Sequence, residues 1–323
     1  MSRQTAKTIV FAQLEATYGV APGVITATDA VLIANARFNI ERDVVSRDLM
    51  RGYYGGSEHL AGTRRANIEF DVELAGSGTA GTAPAWGRLL RGCSMAETIT
   101  SASLPTDRVE YTPISGGFES LSLHYFTDGV RYVSRGARGN FTFKMNAYER
   151  PMLHFAMVGF DTVALEGNVG GNFTAWQRPL VITDANAGDI RLGGSYTTGV
   201  ISGGTVLASK GLEVDLGNKV SHLKLLGGER IDITAREVTG RMTVELSAAD
   251  EVTWRSDITT NSLASLGFNF GTVAGNRIAV WAPAVQRVNP QVEDYEGNVM
   301  MATELRMLPS AVGGNDDITI VAR

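Results

Sequence analysis

Hydrophobic and polar positions alternate strictly between residues 68 and 74: Ile68, Phe70, Val72 and Leu74 are separated by Glu69, Asp71 and Glu73. Successive side chains on a strand point to opposite faces, so this stretch predicts a strand with one apolar and one acidic face. A Gly/Ser/Thr run from Ser77 to Ala83 breaks the pattern. Pro84 then opens a short predicted helix carrying Trp86, Leu89 and Leu90, with Gly92 near its end. The order strand, flexible loop, short helix returns later in the chain.

Before this unit the sequence reads as an N-terminal arm over residues 1–30, a strand from Val31 to Ile40, and a polar segment from Glu41 to Arg65. That segment holds Arg42, Arg47, Arg51, Tyr53, Tyr54 and Glu58, and it is too long for a simple hairpin turn. Arg and Tyr are enriched at protein–protein contacts, so a contact loop and a solvated excursion are both open readings. After the helix the pattern predicts strands around 109–111, 118–126 and 130–133, the first hairpin turn being Asp128-Gly129. A Gly-bracketed bend at 136–139 separates a further strand with Phe141, Phe143 and Met145, and another runs from Met152 to Phe160. Residues 166–203 lack periodicity apart from Leu180-Val181-Ile182.

From Gly204 the pattern restarts. Leu212, Val214 and Leu216 alternate with Glu213 and Asp215, echoing the strand that ends at Ile40. Val244-Glu245-Leu246 echoes Val72-Glu73-Leu74, and a helix over 250–258 carries Trp254 as the first carries Trp86. Strands follow at 277–282 and after Tyr295-Glu296, with a strand-like tail at 318–321. The spacing drifts between echoes, as in a worn duplication. The expected fold is mainly β, with two tandem β-sandwich or barrel domains, each flanked by a short α-helix. The expected limits are residues 1–165, a connection at 166–203, and residues 204–323.

Composition agrees with many short strands: 37 of 323 residues are Gly, well above the average of about 7%. The formal net charge of −5 argues against a nucleic-acid grip, which needs a basic surface. The single cysteine, Cys93, excludes a disulfide framework and a Cys-rich zinc site within the chain. No secretory signal and no membrane-spanning apolar run is evident, so the expected setting is a cytoplasm, with no membrane insertion by this chain.

Catalytic constellations are missing from the pattern. His59, His124, His154 and His222 are scattered without metal-ligand spacing, and the Gly pairs at 193–194 and 227–228 lack the strand-to-helix setting of a phosphate cradle. No enzyme, cofactor or metal is expected. The acidic positions carry more information: Glu69, Asp71 and Glu73 in the first half, Glu213, Asp215 and Glu245 in the second. One reading is the wet face of an antiparallel sheet. The other is the lining of a channel, where carboxylates repel the phosphates of DNA over a Debye length of about 8 Å and so let it slide.

The run Glu15-Ala16-Thr17-Tyr18-Gly19, followed by Pro22 and Thr28-Asp29-Ala30, resembles the start of the major tail tube proteins of long, flexible-tailed bacteriophages. So do Gly62-Thr63-Arg64, the run from Val72 to Pro84, Leu89-Leu90-Arg91-Gly92-Cys93 and Gly117-Phe118-Glu119-Ser120. Gly136-Ala137-Arg138-Gly139, Leu216-Gly217-Asn218 and Ile318-Thr319-Ile320-Val321 continue the match, in order, over nearly the whole chain. The resemblance implies a structural subunit whose inner sheet joins its ring neighbours' sheets, with rings stacked through a long loop and terminal arms. A chain with two such folds would form a ring of three with a pseudo-sixfold appearance. The six acids would then face the lumen, and the 41–65 segment, with Arg42, Arg47, Arg51, Tyr53, Tyr54 and Glu58, would be the stacking loop. Implied partners are further copies of the chain, tape-measure, tail-terminator and distal tail proteins, and double-stranded DNA in transit, in the virion tail after assembly in the host cytoplasm. A rival reading from the residues alone is a two-domain sandwich that binds carbohydrate on Trp176 or Trp281.

Overall fold

The computed structural model describes residues 3–101, 106–162, 164–167, 169–310 and 313–323. The first half contains β1 (Thr8–Leu14), β2 (Ala30–Val31), β3 (Ala34–Ser46), β4 (His59–Glu73), α1 (Gly87–Arg91), β5 (Met95–Thr100), β6 (Arg108–Pro113), β7 (Leu121–Thr127), β8 (Val130–Asn146), β9 (Met152–Asp161) and β10 (Leu165–Glu166). The second contains β11 (Ala187–Leu192), β12 (Ser195–Thr197), β13 (Val200–Ser202), β14 (Thr205–Leu207), β15 (Ser209–Asp215), β16 (Asn218–Leu225), β17 (Gly228–Arg236), β18 (Thr239–Val244), α2 (Ala248–Thr259), β19 (Leu263–Phe270), β20 (Ile278–Tyr295), β21 (Asn298–Leu308) and β22 (Thr319–Ala322). The protein is mainly β, with these two helices, and its sheets stay open.

The pairings repeat. β1 lies between β2 and β7, and β11 lies between β14 and β19. β3 and β4 form a hairpin whose second strand pairs with β9, and β9 pairs with β8; likewise β15, β18, β21 and β20. α1 follows β4 as α2 follows β18. The two halves then join: β8 pairs with β15 from Thr142↔Asp215 to Asn146↔Gly211. One antiparallel sheet therefore runs β3–β4–β9–β8–β15–β18–β21–β20.

The long strands β8 and β20 let one chain segment serve two layers. The first part of β8 pairs with β7 and its last part with β15; the first part of β20 pairs with β19 and β22 and its last part with β21. The predicted Gly-bracketed bend at 136–139 is thus a register shift inside one continuous strand, between Arg135 and Arg138. An extra residue at such a bulge bends the strand without ending it. Between the layers lies one contiguous core: Phe70, Phe141, Phe155, Trp86 and Leu89 in the first half, and Leu212, Val214, Met242, Trp254 and Leu305 in the second.

The first and last strands are built into the fold: the expected arm contains β1, and the strand-like tail is β22. Val10, Phe11 and Ala12 of β1 are fully buried; Phe11 packs with Ile25, Ala30 and Phe126, while Ala12 on the opposite face joins the main core. β22 sits between β6 and β20 and ties the last residues of the chain to both halves. The segment expected as a connection at 166–203 carries β11, which takes in its half the place β1 takes in the first. The predicted strand at 180–182 is irregular, although Ile182 exchanges backbone hydrogen bonds with the 148–149 turn.

Close backbone contacts lock the halves together. The Gly-Ser-Gly loop after β4 lies against the 275–276 turn: the Gly78 amide donates to the Gly275 carbonyl at 2.9 Å, and a Cβ on Gly76 would sit 2.0 Å from that oxygen. Only glycine allows this approach. Asn218 is the polar counterpart. Its buried side-chain amide donates to the carbonyls of Cys93 at 2.8 Å and Gly139 at 3.0 Å, and its carbonyl accepts from Ser94 Oγ at 3.0 Å. Arg236 joins the same seam by pairing with buried Asp317 at 3.0 Å and donating to the Ile114 carbonyl at 2.7 Å.

Asn218→Ala leaves two buried carbonyls without donors, and each unsatisfied group costs about 1–3 kcal/mol. The expected loss of about 2–4 kcal/mol is read as a lower denaturant midpoint; an unchanged midpoint would show that water replaces the amide. His124 on β7 makes a second prediction. It is 1% exposed, neither ring nitrogen has a hydrogen-bond partner, and burial, with Arg131 and Arg135 adding to it, pushes its pKa down to about 4. The unfolded chain, with an ordinary His pKa of about 6.5, binds the proton first, so the His124 contribution to stability falls as pH drops from about 6.5 through about 4. His124→Leu is expected to lose less stability than the parent between pH 7 and pH 5 in paired urea titrations.

Candidate functional site: one polar sheet face, an open hairpin and two free edges

Strand register decides which residues share the face opposite the core. Glu69, Asp71 and Glu73 stand opposite Ala156, His154 and Met152 on β9. His154 stands opposite Thr142 on β8, and Thr142 opposite Asp215 on β15. Glu213 lies between Lys144 and Arg241, and Glu245 continues the same parity beyond β18. The structure therefore brings all six sequence-predicted acids onto one face of the continuous sheet.

That face is mixed in sign, which the sequence pattern of each strand alone did not disclose. Lys144 pairs with Glu213 at 2.8 Å, Arg150 with Glu73 at 2.7 Å, and His154 Nδ1 with Asp71 at 2.7 Å. Asp215 accepts from Asn140 at 2.6 Å and from the Gly217 amide at 2.8 Å. Arg65 is held by Glu41 and Arg241 by Glu293. Of the six acids, Glu69, Asp215 and Glu245 have no ion-pair partner among the described residues, and neither has Arg37, which stands opposite Glu69 on the same face.

The expected loop at 41–65 is shorter than its sequence suggested. Residues through Ser46 and from His59 are strand, since Glu41–Arg65, Asp43–Thr63 and Arg47–Glu58 contacts zip the hairpin across its polar positions. Only residues 47–58 form the loop. Arg42 thus sits on β3 opposite Arg64, Arg47 and Glu58 pair at the mouth, and Arg51, Tyr53 and Tyr54 lie on the tip. Tyr54 and Met50 are fully exposed, with Val44, Val45, Leu49 and Leu60 also open to solvent.

Sequence reading missed the counterpart of this hairpin in the second half. β16 and β17 follow β15 through a kink at Gly217, whose φ is +69° and whose Cβ position would meet the Glu237 carbonyl at 2.0 Å. This hairpin folds back over the first half. Tyr18 Oη accepts from the Ile231 amide at 2.7 Å, Arg138 donates to the Ile231 carbonyl at 2.9 Å and pairs with Asp232 at 3.2 Å, and Lys224 reaches Asp43. Ile231 and Ile233 are buried there. The signal was present in Leu226-Gly227-Gly228, a hairpin turn between two alternating stretches.

Two strand edges of the continuous sheet remain open. Among the described residues β3 pairs only with β4, and β20 beyond Gln286 pairs only with β21. The tryptophans offered as a sugar platform are packed instead. Trp281 is 9% exposed and stacked on Tyr196, and Trp176 is partly buried with its indole N–H on the Ala30 carbonyl at 3.2 Å. Cys93 is buried, and burial pushes its thiol far above the usual range. Among the described residues no cluster of three or more His, Cys, Asp or Glu is placed to hold a metal, and no helix is long and apolar enough to cross a membrane.

No curated protein matches the sequence. The model of the phage tail tube protein family matches it over residues 5–321, a span that includes both repeats, both free edges and both hairpins. The chain belongs to the phage tail tube protein family.

Proposed function

We propose that this chain is the repeating structural subunit of a tail tube, built from rings of three copies that present six repeats around a lumen through which the genome passes. The observation that carries the proposal is the continuous sheet with an unpaired strand at each end. Such edges aggregate unless something covers them, and closure around a ring removes them. The role is structural and not catalytic. The partners are other copies of the chain, tape-measure, tail-terminator and distal tail proteins, and double-stranded DNA in transit. Assembly takes place in the host cytoplasm and the product belongs to the virion tail.

In this reading the polar face carrying Glu69, Asp71, Glu73, Glu213, Asp215 and Glu245 lines the lumen. Its cations Lys144, Arg150, Arg65 and Arg241 are each occupied by an acid, and among the described residues Arg37 is left unpaired against Glu69, Asp215 and Glu245, so the unpaired charge toward a passing phosphate backbone is acidic in balance. Free cations would bind that backbone by counterion release; free carboxylates do not. The 47–58 tip, with Arg47, Arg51, Tyr53, Tyr54 and Glu58, and Arg42 at its base, contacts the next ring. Exposed Met50 and Tyr54 support this, since large apolar groups grouped at one tip mark interaction sites.

Negative-stain microscopy of the purified chain is expected to show rings or tubes; a persistent compact monomer at high concentration would refute the proposal. Glu245→Lys should leave tails of normal length but lower infectivity per assembled particle by about tenfold or more, as the added cations hold DNA in the tube. Equal infectivity would remove Glu245 from the lumen. Met50→Ser with Tyr54→Ser should leave rings intact and abolish their stacking, measured as a shift from tube to ring in sedimentation velocity.

A further inference from the structure

We infer that the free edge of β20 pairs with the free edge of β3 from a second copy of this chain, in the register of the internal β8–β15 seam and with the charges of that seam reversed. The inference rests on the self-assembly reading above and specifies its contact.

The repeat fixes which residues correspond. Val72 and Val244 open the shared Val-Glu-Leu and stand opposite Leu153 and Met301, which in turn stand opposite Phe143 and Val292. Phe143 therefore corresponds to Val292, Lys144 to Glu293, and Thr142 to Gln291. On the other side, Glu69 and Arg241 each lie three residues before those valines and stand opposite Arg37 and Glu213. Arg37 therefore corresponds to Glu213, Phe38 to Val214, and Asn39 to Asp215. The geometry is also equivalent: β15 joins β8 on the side that β7 occupies earlier, and the free edge of β20 continues the side that β19 occupies earlier.

Carrying the internal register across gives Gln291 opposite Asn39, Val292 opposite Phe38 and Glu293 opposite Arg37 of the second copy. At the internal seam the row across three strands is Lys144, Glu213, Arg241, and the 2.8 Å Lys144–Glu213 pair spans the join. The corresponding row is Glu293, Arg37, Glu69. Its signs alternate as well, and each is opposite to its counterpart. Among the described residues Arg37 is exposed and has no ion-pair partner, while Val292 is 56% exposed where its counterpart Phe143 is 1% exposed. Both are left waiting for an edge.

The reversal also rejects wrong joins. β8 against β3 would set Lys144 opposite Arg37, and β20 against β15 would set Glu293 opposite Glu213. Like charges directly opposite on neighbouring strands are destabilising. An intramolecular seam and an intermolecular one can thus share a backbone geometry without exchanging partners.

Two measurements test this. Asn39→Cys with Gln291→Cys is expected to form chain-to-chain disulfides on mild oxidation of assembled material, with Cys93 silent because it is buried. Asn39→Cys with Glu293→Cys, two residues out of register, should not cross-link. Separately, Arg37→Gln should lower the assembled fraction by about tenfold at a concentration where the parent assembles, with the thermal unfolding of the isolated subunit close to the parent's, because the exchange sets no like charge opposite Glu69. Arg37→Lys, which keeps the charge, should assemble as the parent does. Cross-linking in the other register, or Arg37→Gln assembling as the parent does, overturns the seam while leaving the tube reading intact. Failure of the unaltered chain to form rings overturns the tube reading instead.

Discussion

The structure depends on the backbone ladder between β8 and β15. Without it the sheet that carries the polar face is two four-stranded pieces, each with two bare edges, and β22 alone among the described strands still pairs with both halves. With it they become one surface, and the open edges fall from four to two. Side chains reinforce the ladder from both sides: Phe143 and Val214 toward the core, Lys144 and Glu213 toward solvent. Asn218 seals its end, because a carboxamide can donate to two carbonyls and accept from Ser94 at once. No apolar residue of that size satisfies the three groups, and a carboxylate would face the carbonyl oxygens as a like dipole.

The two hairpins show how one motif serves opposite ends. The hairpin of β16 and β17 bends at Gly217 and lies on the first half, where burial of Ile231 and Ile233 and the Arg138–Asp232 pair hold it. The strands of the β3–β4 hairpin contain no glycine at positive φ, and its tip leaves Met50 and Tyr54 in solvent. A glycine at positive φ makes the difference locally. What the first hairpin lacks inside the chain is a neighbouring repeat to lie on.

Much of this was legible in the residue pattern, for physical reasons. Strands such as β4 and β9 alternate because one face is buried, so their type and place were plain. The first helix was marked by Pro84 ahead of Trp86, Leu89 and Leu90, and the second by the echo of that tryptophan in Trp254, although it starts at Ala248, before the expected 250, where Ser247 caps it. What stayed hidden needed pairing information. A run such as Thr8–Leu14 looks like an arm until β7 is known to lie beside it. The polar excursion at 41–65 looks like loop because its strands bury nothing and are held by Glu41–Arg65 and Asp43–Thr63 contacts, which no single-strand period reports. The acids of the polar face were found individually, but Lys144, Arg150 and His154 come from other strands, so the mixed sign of the face emerged only with the register.

Register also explains why a duplicated subunit does not tangle with itself. Two copies of one fold in one chain begin with interchangeable edges, and interchangeable edges permit swapped pairing between chains. Connection length alone discriminates weakly, since closure entropy grows only slowly with the length of chain between two strands. A sign difference acts on every encounter, at the site of pairing. Here Lys144, Glu213 and Arg241 stand in one row, and Glu293, Arg37 and Glu69 occupy the matching positions with each charge inverted. The inversion costs nothing in backbone geometry and leaves the polar face close to balanced. The same row of side chains therefore sets both the local charge of the face and the choice of neighbour, which couples what the sheet presents to solvent with how the sheet is extended.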